Sequence, residues 1–396
     1  MAKQSTAVHQ HRTRYVVAML AVLTTTIAML GGPSTAALLG GIGAAQSTEP
    51  AERIDPPRSV RITAGGDILT ESQVRVAAAE AGAASGARFD FGPLFAPLQP
   101  VISQADLAIC HMELPIGRPG ASSGNIGRSP FGGNLLISPF ELAAGARSAG
   151  FDRCSTASNH SYDAGASGVV STLDALDASG ISHTGTARSE NEALPNVFDV
   201  DGVRVGHVSY TRSSNTVLPS RSWVQSTATS SAQVIRDVQA LRAGGAEIVI
   251  VSVHVTFEMQ RAPIARDRLF ANAITAGADI DMVVHHGPHV IQPLEMVNDT
   301  PVFWSTGNMI SGMGLAISGR YADQRTLDGL LATVLFHEDD DGEWTSFPGA
   351  VTICTDVITR VVRPARDAFA SGISARERSA LLACRQRTEA VFGPTG

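Results

Sequence analysis

Histidines, carboxylates and amides gather wherever an apolar run of this chain ends. The densest group is His285-His286-Gly287-Pro288-His289, which closes the run Asp281-Met-Val-Val284. Glycine lets the backbone turn and proline fixes its exit, so the rings of His286 and His289 can point at one centre. Gly65-Gly66-Asp67 sets a carboxylate behind two glycines. In His111-Met112-Glu113 the first and third residues share a face of an extended chain, so one can ligate a metal while the other neighbours it. Asn159-His160, with Asp163 three residues on, suits a division of labour: amide oxygen on a metal, imidazole as proton donor, carboxylate holding the imidazole. His254 ends Glu247-Ile-Val-Ile-Val-Ser-Val253 and has Glu258 four residues beyond, across a β-branched exit that reads as strand to loop. Asn308 ends the turn Ser305-Thr-Gly-Asn308. Imidazoles mixed with carboxylates and an amide suit Mn, Fe or Zn better than an all-oxygen Ca or Mg site. The set matches no HExxH, P-loop or GxSxG pattern.

Such groups do chemistry only if strands bring their ends together. Ser59–Thr63 reads as a strand, Phe91–Gln104 as helical, Asp106–Cys110 as a strand, Glu141–Ala149 as a short helix, Phe151–Thr156 as a strand and Ala166–Ser179 as a helix closed by Gly180. This alternation predicts a parallel or mixed sheet. Asp201-Gly202 between two apolar runs is a hairpin signal. Helices follow at Ala232–Ala243 and Asp267–Ala276, with strands at Glu247–Val253, Ile280–Val284, Pro301–Ser305 and Gly329–His337. Residues Gly342–Gly349 and Val351–Val362 finish an antiparallel edge. The segment Gly117–Gly133, rich in glycine and serine and carrying Arg118 and Arg128, is either a surface loop or a binding lid, and its arginines are candidates for substrate contact.

With 396 residues, 44% hydrophobic and 17% charged, the chain is globular. Lys3, Arg12 and Arg14 precede the apolar stretch Tyr15–Leu30, and small residues continue to Ala45: the order of an export signal. Residues 1–45 are therefore a signal peptide or a retained membrane anchor, 46–58 a linker, 59–362 the main domain and 363–396 a helical tail. An exported, extracytoplasmic location follows for the folded part. Without those three cations the net charge of −7 becomes about −10, and no basic patch remains to neutralise phosphates, which excludes nucleic acid. Four cysteines are too few for a disulfide scaffold, and no CxxC unit offers a thiolate zinc site. Cys354 and Cys384 can pair in an oxidising exterior, whereas Cys110 and Cys154 read as inert buried thiols.

Taken in order, the clusters resemble the CapA or PgsA family of poly-gamma-glutamate capsule proteins, whose domain is related to the calcineurin-like metallophosphatases. The resemblance runs over about Ile62 to Ile310. It rests on Gly66-Asp67, Ala105-Asp106 with His111-Met112-Glu113, Ser158-Asn159-His160 with Asp163 and Gly165, and His254 with Glu258. The most distinctive block is Gly277-Ala278-Asp279, His286-Gly287-Pro288-His289-Val290, Gln292-Pro293 and Glu295; Ser305-Thr306-Gly307-Asn308 follows it. His111 stands where the family usually has Asn, Val255-Thr256 replace Trp-Gly, and Met259 and Met309 replace aromatics. The resemblance implies an α/β, metallophosphatase-like sandwich of mixed β-sheets flanked by helices. It further implies one or two divalent ions of the Mn, Fe or Zn class held by Asp67, Glu113, Asn159, His254, His286 and His289. His160 would be the proton donor with Asp163 behind it; the candidates to face substrate are His111, Glu258 and Asn308, together with Arg118 and Arg128 read from the glycine-rich loop. Leu69 stands where a metallophosphatase usually offers a further ligand, so one ion in place of two is an alternative. The implied partners are an anionic polymer such as poly-gamma-glutamate or a cell-envelope phosphoester, and membrane capsule-synthesis subunits. The expected activity is metal-dependent hydrolysis of a phosphoester or polyglutamate amide. The alternative from another class is a nonhydrolytic, membrane-tethered factor that binds or exports the polymer.

Overall fold

The computed structural model describes residues 57–314 and 321–395. The signal or anchor and nearly all of the linker lie outside the described residues. Among the described residues no helix is long and apolar enough to cross a membrane.

The first half runs β1 (Ser59–Ile68), α1 (Ser72–Ser85), two short helical turns α2 (Gly92–Phe95) and α3 (Gln99–Ile102), and β2 (Leu107–His111). It continues through a hairpin of β3 (Gly124–Arg128) and β4 (Asn134–Ile137), then α4 (Leu142–Ala149), β5 (Arg153–Ser155), α5 (Gly165–Ala178) and β6 (Ser182–Thr184). The second half contributes β7 (Val197–Val200), β8 (Val203–Thr211), α6 (Ser231–Ala243), β9 (Ile248–His254), α7 (Ala265–Gly277) and β10 (Met282–His286). After these come β11 (Leu294–Val297), β12 (Thr300–Phe303), β13 (Asn308–Ile310), β14 (Asp328–Glu338), β15 (Trp344–Thr355), β16 (Val362–Pro364) and α8 (Ala375–Phe392).

Two mixed sheets result. One has the order β16-β15-β14-β1-β2-β5-β6 with β13 beside β1; the other has the order β11-β12-β10-β9-β8-β7. Their inner faces share one apolar core in which Ile62, Ile109 and Val334 of the first sheet meet Val205, Ile250 and Val284 of the second. The outer face of the first sheet packs on the helices of the first half through Ile68, Phe95, Leu142 and Leu173. That of the second packs on α6 and α7 through Val238, Phe270 and Ile274. Burial on both faces explains why β9 and β10 read as unbroken apolar runs. The architecture is the expected sandwich of mixed sheets flanked by helices. Strands β1, β2 and β5 are mutually parallel, as are β8, β9 and β10, so their carboxyl ends open on one edge of the sandwich.

Local departures have local causes. The helix expected over 91–104 is broken into short turns because Pro93, Pro97 and Pro100 each restart it. The two strands expected over 342–362 are one long β15, in which Pro348 pairs with Val334. Because β16 reaches only Ile353–Thr355, the missing N–H of Pro348 falls on an unpaired edge. The loop expected at 117–133 contains β3, paired with β4. Cys110 and Cys154 are not free thiols: parallel strands β2 and β5 put them in register with Cα atoms 4.5 Å apart, and they are bridged. Cys354 and Cys384 form a second disulfide, which ties α8 to β15.

Candidate metal centre

Asp67 leaves β1, His111 and Glu113 leave β2, and His254 leaves β9. One ligand atom from each lies within 4.8 Å of every other, and all four residues are buried. The close packing of neighbouring strand ends here requires small residues. A Cβ on Gly66 would meet the carbonyl oxygen of Gly307 at 2.3 Å, and one on Gly287 (φ +98°) would meet the carbonyl of Val255 at 2.5 Å and His254 Nε2 at 2.8 Å. Beyond Gly287 the chain turns through His289, itself at φ +59°, a left-handed conformation uncommon outside glycine. This strained corner returns both histidines to Asp67: His286 Nδ1 is 3.4 Å from Oδ1, and His289 Nδ1 is 3.1 Å from Oδ2. The backbone N–H of Gly287 donates to Asp67 Oδ2 at 3.1 Å. His289 Nε2 lies 3.8 Å from Glu113 Oε1.

The imidazoles are prepared as ligands. Ser155 Oγ donates to the carbonyl of Cys110 at 3.3 Å, which leaves it to accept from His111 Nδ1 at 2.8 Å. The tautomer so fixed turns the lone pair of His111 Nε2 toward His254 Nδ1, 3.1 Å away. Burial holds His111 well below the usual imidazole range and His254 down to about 3, so both are neutral. Burial pushes the Glu113 carboxyl well up, although His289 beside it draws it back. Burial would also raise Asp67, but the neighbouring imidazoles of His286 and His289 prevail and hold it well below the carboxylate range. The same neighbours, Glu113 and Asp67, overcome the burial of His289 and raise it to about 10.

Several buried polar atoms here have no hydrogen-bond partner among the described residues: Asp67 Oδ1, Glu113 Oε2, His286 Nε2 and Asn159 Oδ1. Desolvating such groups without compensation is costly, and a divalent cation satisfies oxygen and nitrogen lone pairs together. The donor set, two carboxylates with imidazole nitrogens, fits an ion of the Mn, Fe or Zn class.

The model of the bacterial capsule synthesis protein PGA_cap matches residues 61–313, a span that holds the whole centre. The chain belongs to the PGA_cap family. It is 27% identical over 208 residues to "Capsule biosynthesis protein CapA" of Bacillus anthracis, covering 51% of this chain and 48% of that protein. It is 28% identical over 167 residues to "PGA biosynthesis protein CapA" of Bacillus subtilis (strain 168), covering 41% and 43%. The PGA_cap chain thus aligns with about half the length of these relatives. Among solved structures there are loose likenesses to a novel phosphatase from Mycoplasma pneumoniae (13% identity, 76% of this chain and 95% of that one, TM-score 0.43). Another is to calcineurin-like phosphoesterase YfkN from Bacillus subtilis (13%, 85% and 98%, TM-score 0.42).

Around the PGA_cap centre the remaining candidates fall in distinct places. His160 Nδ1 meets Asp163 Oδ2 at 2.5 Å, and that oxygen also accepts the backbone N–H of Leu136 on β4 at 2.8 Å. Asn308 Oδ1 is 3.1 Å from His289 Nδ1, and its amide nitrogen donates to the Thr326 carbonyl at 2.8 Å, so Asn308 braces His289. His111, first assigned to substrate, stands among the candidate ligands and is fully buried. Glu258 lies on the loop after β9, where Tyr321 donates its hydroxyl to it. Arg118 is exposed, and Arg128 on β3 donates to Asn134 at 3.2 Å; the structure draws neither into the cluster. Ser155 and Asn215 escaped the reading of the sequence. Both follow apolar runs, but neither is an imidazole or a carboxylate.

Proposed function

We propose that the chain acts in biosynthesis of an anionic cell-envelope polymer of the poly-gamma-glutamate class, through a metal-dependent hydrolase site outside the cytoplasmic membrane. One observation carries the reading: Asp67, His111, Glu113 and His254 converge within 4.8 Å, buried, with Asp67 Oδ1 and Glu113 Oε2 free of hydrogen bonds among the described residues. These four would hold the ion, and Asn159, His286 and His289 flank them. A divalent ion bound there supplies Lewis-acid polarisation of a phosphoryl or carbonyl oxygen at neutral pH. The protein's own part is to fix ligand tautomers through Ser155, to aim His289 through Asn308 and to hold a proton for the leaving group on His160. Asp163, buried and braced by β4, orients that imidazole through its Nδ1.

The basic-then-apolar order of residues 3–30 supports an extracytoplasmic location, as does a chain whose four cysteines all sit in disulfides. Kinship with capsule biosynthesis proteins supports the polymer class. It also makes membrane capsule-synthesis subunits the natural partners.

A second reading, a nonhydrolytic polymer-binding factor, is favoured by Leu69. This residue is buried in an apolar cluster with Leu114 and Met313, where a related phosphatase would offer a further ligand. The discriminating experiment measures metal content of the purified full chain, then hydrolysis of bis(p-nitrophenyl) phosphate and of poly-gamma-glutamate, with Glu113→Ala and His289→Ala as controls. Metal with turnover lost in both variants supports the hydrolase. Metal without turnover transfers support to the binding factor, and no metal with any of Mn, Fe or Zn ends the proposal.

A further inference from the structure

Asn215 sits on the loop after β8, outside every motif considered above, yet it is tied to the Asn159-His160 turn through both backbone and side chain. Its backbone N–H donates to the Asn159 carbonyl at 2.8 Å, and its own carbonyl accepts the hydroxyl of Ser129, next to β3, at 2.5 Å. Its Oδ1 accepts from Asn159 Nδ2 at 3.4 Å. Its amino end lies against the His160 ring, 3.1 Å from Nδ1 and 3.3 Å from Nε2.

The orientation of Asn159 matters because the two ends of an amide are chemically opposite. The oxygen has lone pairs to give a cation; the NH2 group has none. With its Nδ2 directed at Asn215 Oδ1, Asn159 keeps Oδ1 buried and without a hydrogen bond. Turning the amide over would set oxygen against oxygen at Asn215 and present a donor where a ligand is needed. We propose that Asn215 is the positioning residue that sets the Asn159 amide oxygen-inward for the metal ion and braces the His160 ring. The same loop joins the β3–β4 hairpin to the site through Ser129. This inference rests on the metal-site reading above.

The test is calorimetric titration of the metal-free full chain with Mn2+ alone, beside thermal melting of the metal-free form. Asn215→Ala is expected to weaken Mn2+ binding by roughly tenfold or more, the range found when residues that orient metal ligands are removed. Metal-free melting should stay level with that of Thr216→Ala, a neighbour on the same loop. Ser129→Ala, which releases the hairpin but keeps the amide, should retain wild-type affinity. Should Asn215→Ala melt early, the near-isosteric Asn215→Leu takes its place under the same criterion. Mn2+ affinity of the position-215 variant within about twofold of wild type overturns the inference. So does a loss shared equally with Thr216→Ala, or a loss of affinity that only follows a loss of metal-free stability in both position-215 variants. A wild-type chain that binds no Mn2+ would defeat the metal site itself, whereas a binding wild type with an indifferent Asn215→Ala would defeat only this role.

Discussion

His111 departs from the pattern of the family the clusters resemble, and there the departure reaches the chemistry. Its Nε2 faces His254 Nδ1 at 3.1 Å, with the tautomer set by Ser155. An imidazole at this place adds a borderline-soft donor where the related motif has an amide. His111→Asn is therefore expected to weaken Zn2+ binding more than Mn2+ binding, read by paired calorimetric titrations. Ser155→Ala should cost roughly tenfold in affinity for either ion through loss of the tautomer alone. Gly287 carries the backbone counterpart. A side chain there would strike the Val255 carbonyl and His254 in a left-handed conformation. Gly287→Ala should lower stability by about 1–3 kcal/mol in urea unfolding and abolish metal uptake. The ligand types were legible because imidazoles and carboxylates at strand ends have few other uses. The share taken by His111 was not legible, since alternation places His111 and Glu113 on one face but cannot say that β9 delivers His254 opposite them.

Elements decide what meets what. The hydrophobic runs that became β9 and β10 were readable because burial on both faces selects near-continuous apolar sequence, and β1 was readable from the alternation over Ser59–Thr63. Strand order and register within each sheet were not readable, and with them went the bridging of Cys110 to Cys154, which depends on β2 lying beside β5 in register. The β3–β4 hairpin was hidden by its glycine-rich composition. Its value lies in contacts made far away in sequence: the Leu136 N–H to Asp163 and the Ser129 hydroxyl to Asn215. At the other end, α8 begins with a capping box at Ser374 and Glu377 and is held to β15 by the Cys354–Cys384 disulfide. Opening that loop of 30 residues with Cys354→Ser and Cys384→Ser together should lower unfolding free energy by about 2–4 kcal/mol. Guanidinium denaturation under non-reducing conditions reads the loss. Metal affinity should hold, because α8 contributes no ligand.

At the scale of the whole molecule, two sheets with a common core bring their carboxyl ends to one edge, and the candidate ion-binding groups are what that edge encloses. Binding there should stabilise the fold by mass action, about 2.7 kcal/mol at a hundredfold excess over Kd, seen as a rise in melting temperature with Mn2+ or Zn2+ that chelator reverses. The sign of its pH dependence follows from Glu113. Its folded pKa lies above the unfolded value, so without metal the folded form keeps the proton longer and stability falls as pH rises through that interval. A bound cation needs the carboxylate ionised and the imidazoles neutral, so binding expels protons. The metal-induced gain in melting temperature should therefore grow from acid toward neutral pH. The most direct trial of the account is the metal stoichiometry and affinity of the purified full chain, compared with Glu113→Ala and His254→Ala. The account predicts uptake of at least one Mn, Fe or Zn ion per chain, lost or weakened at least roughly tenfold in both variants. A wild-type chain that takes up none of these ions, or variants that bind as tightly as wild type, would contradict it.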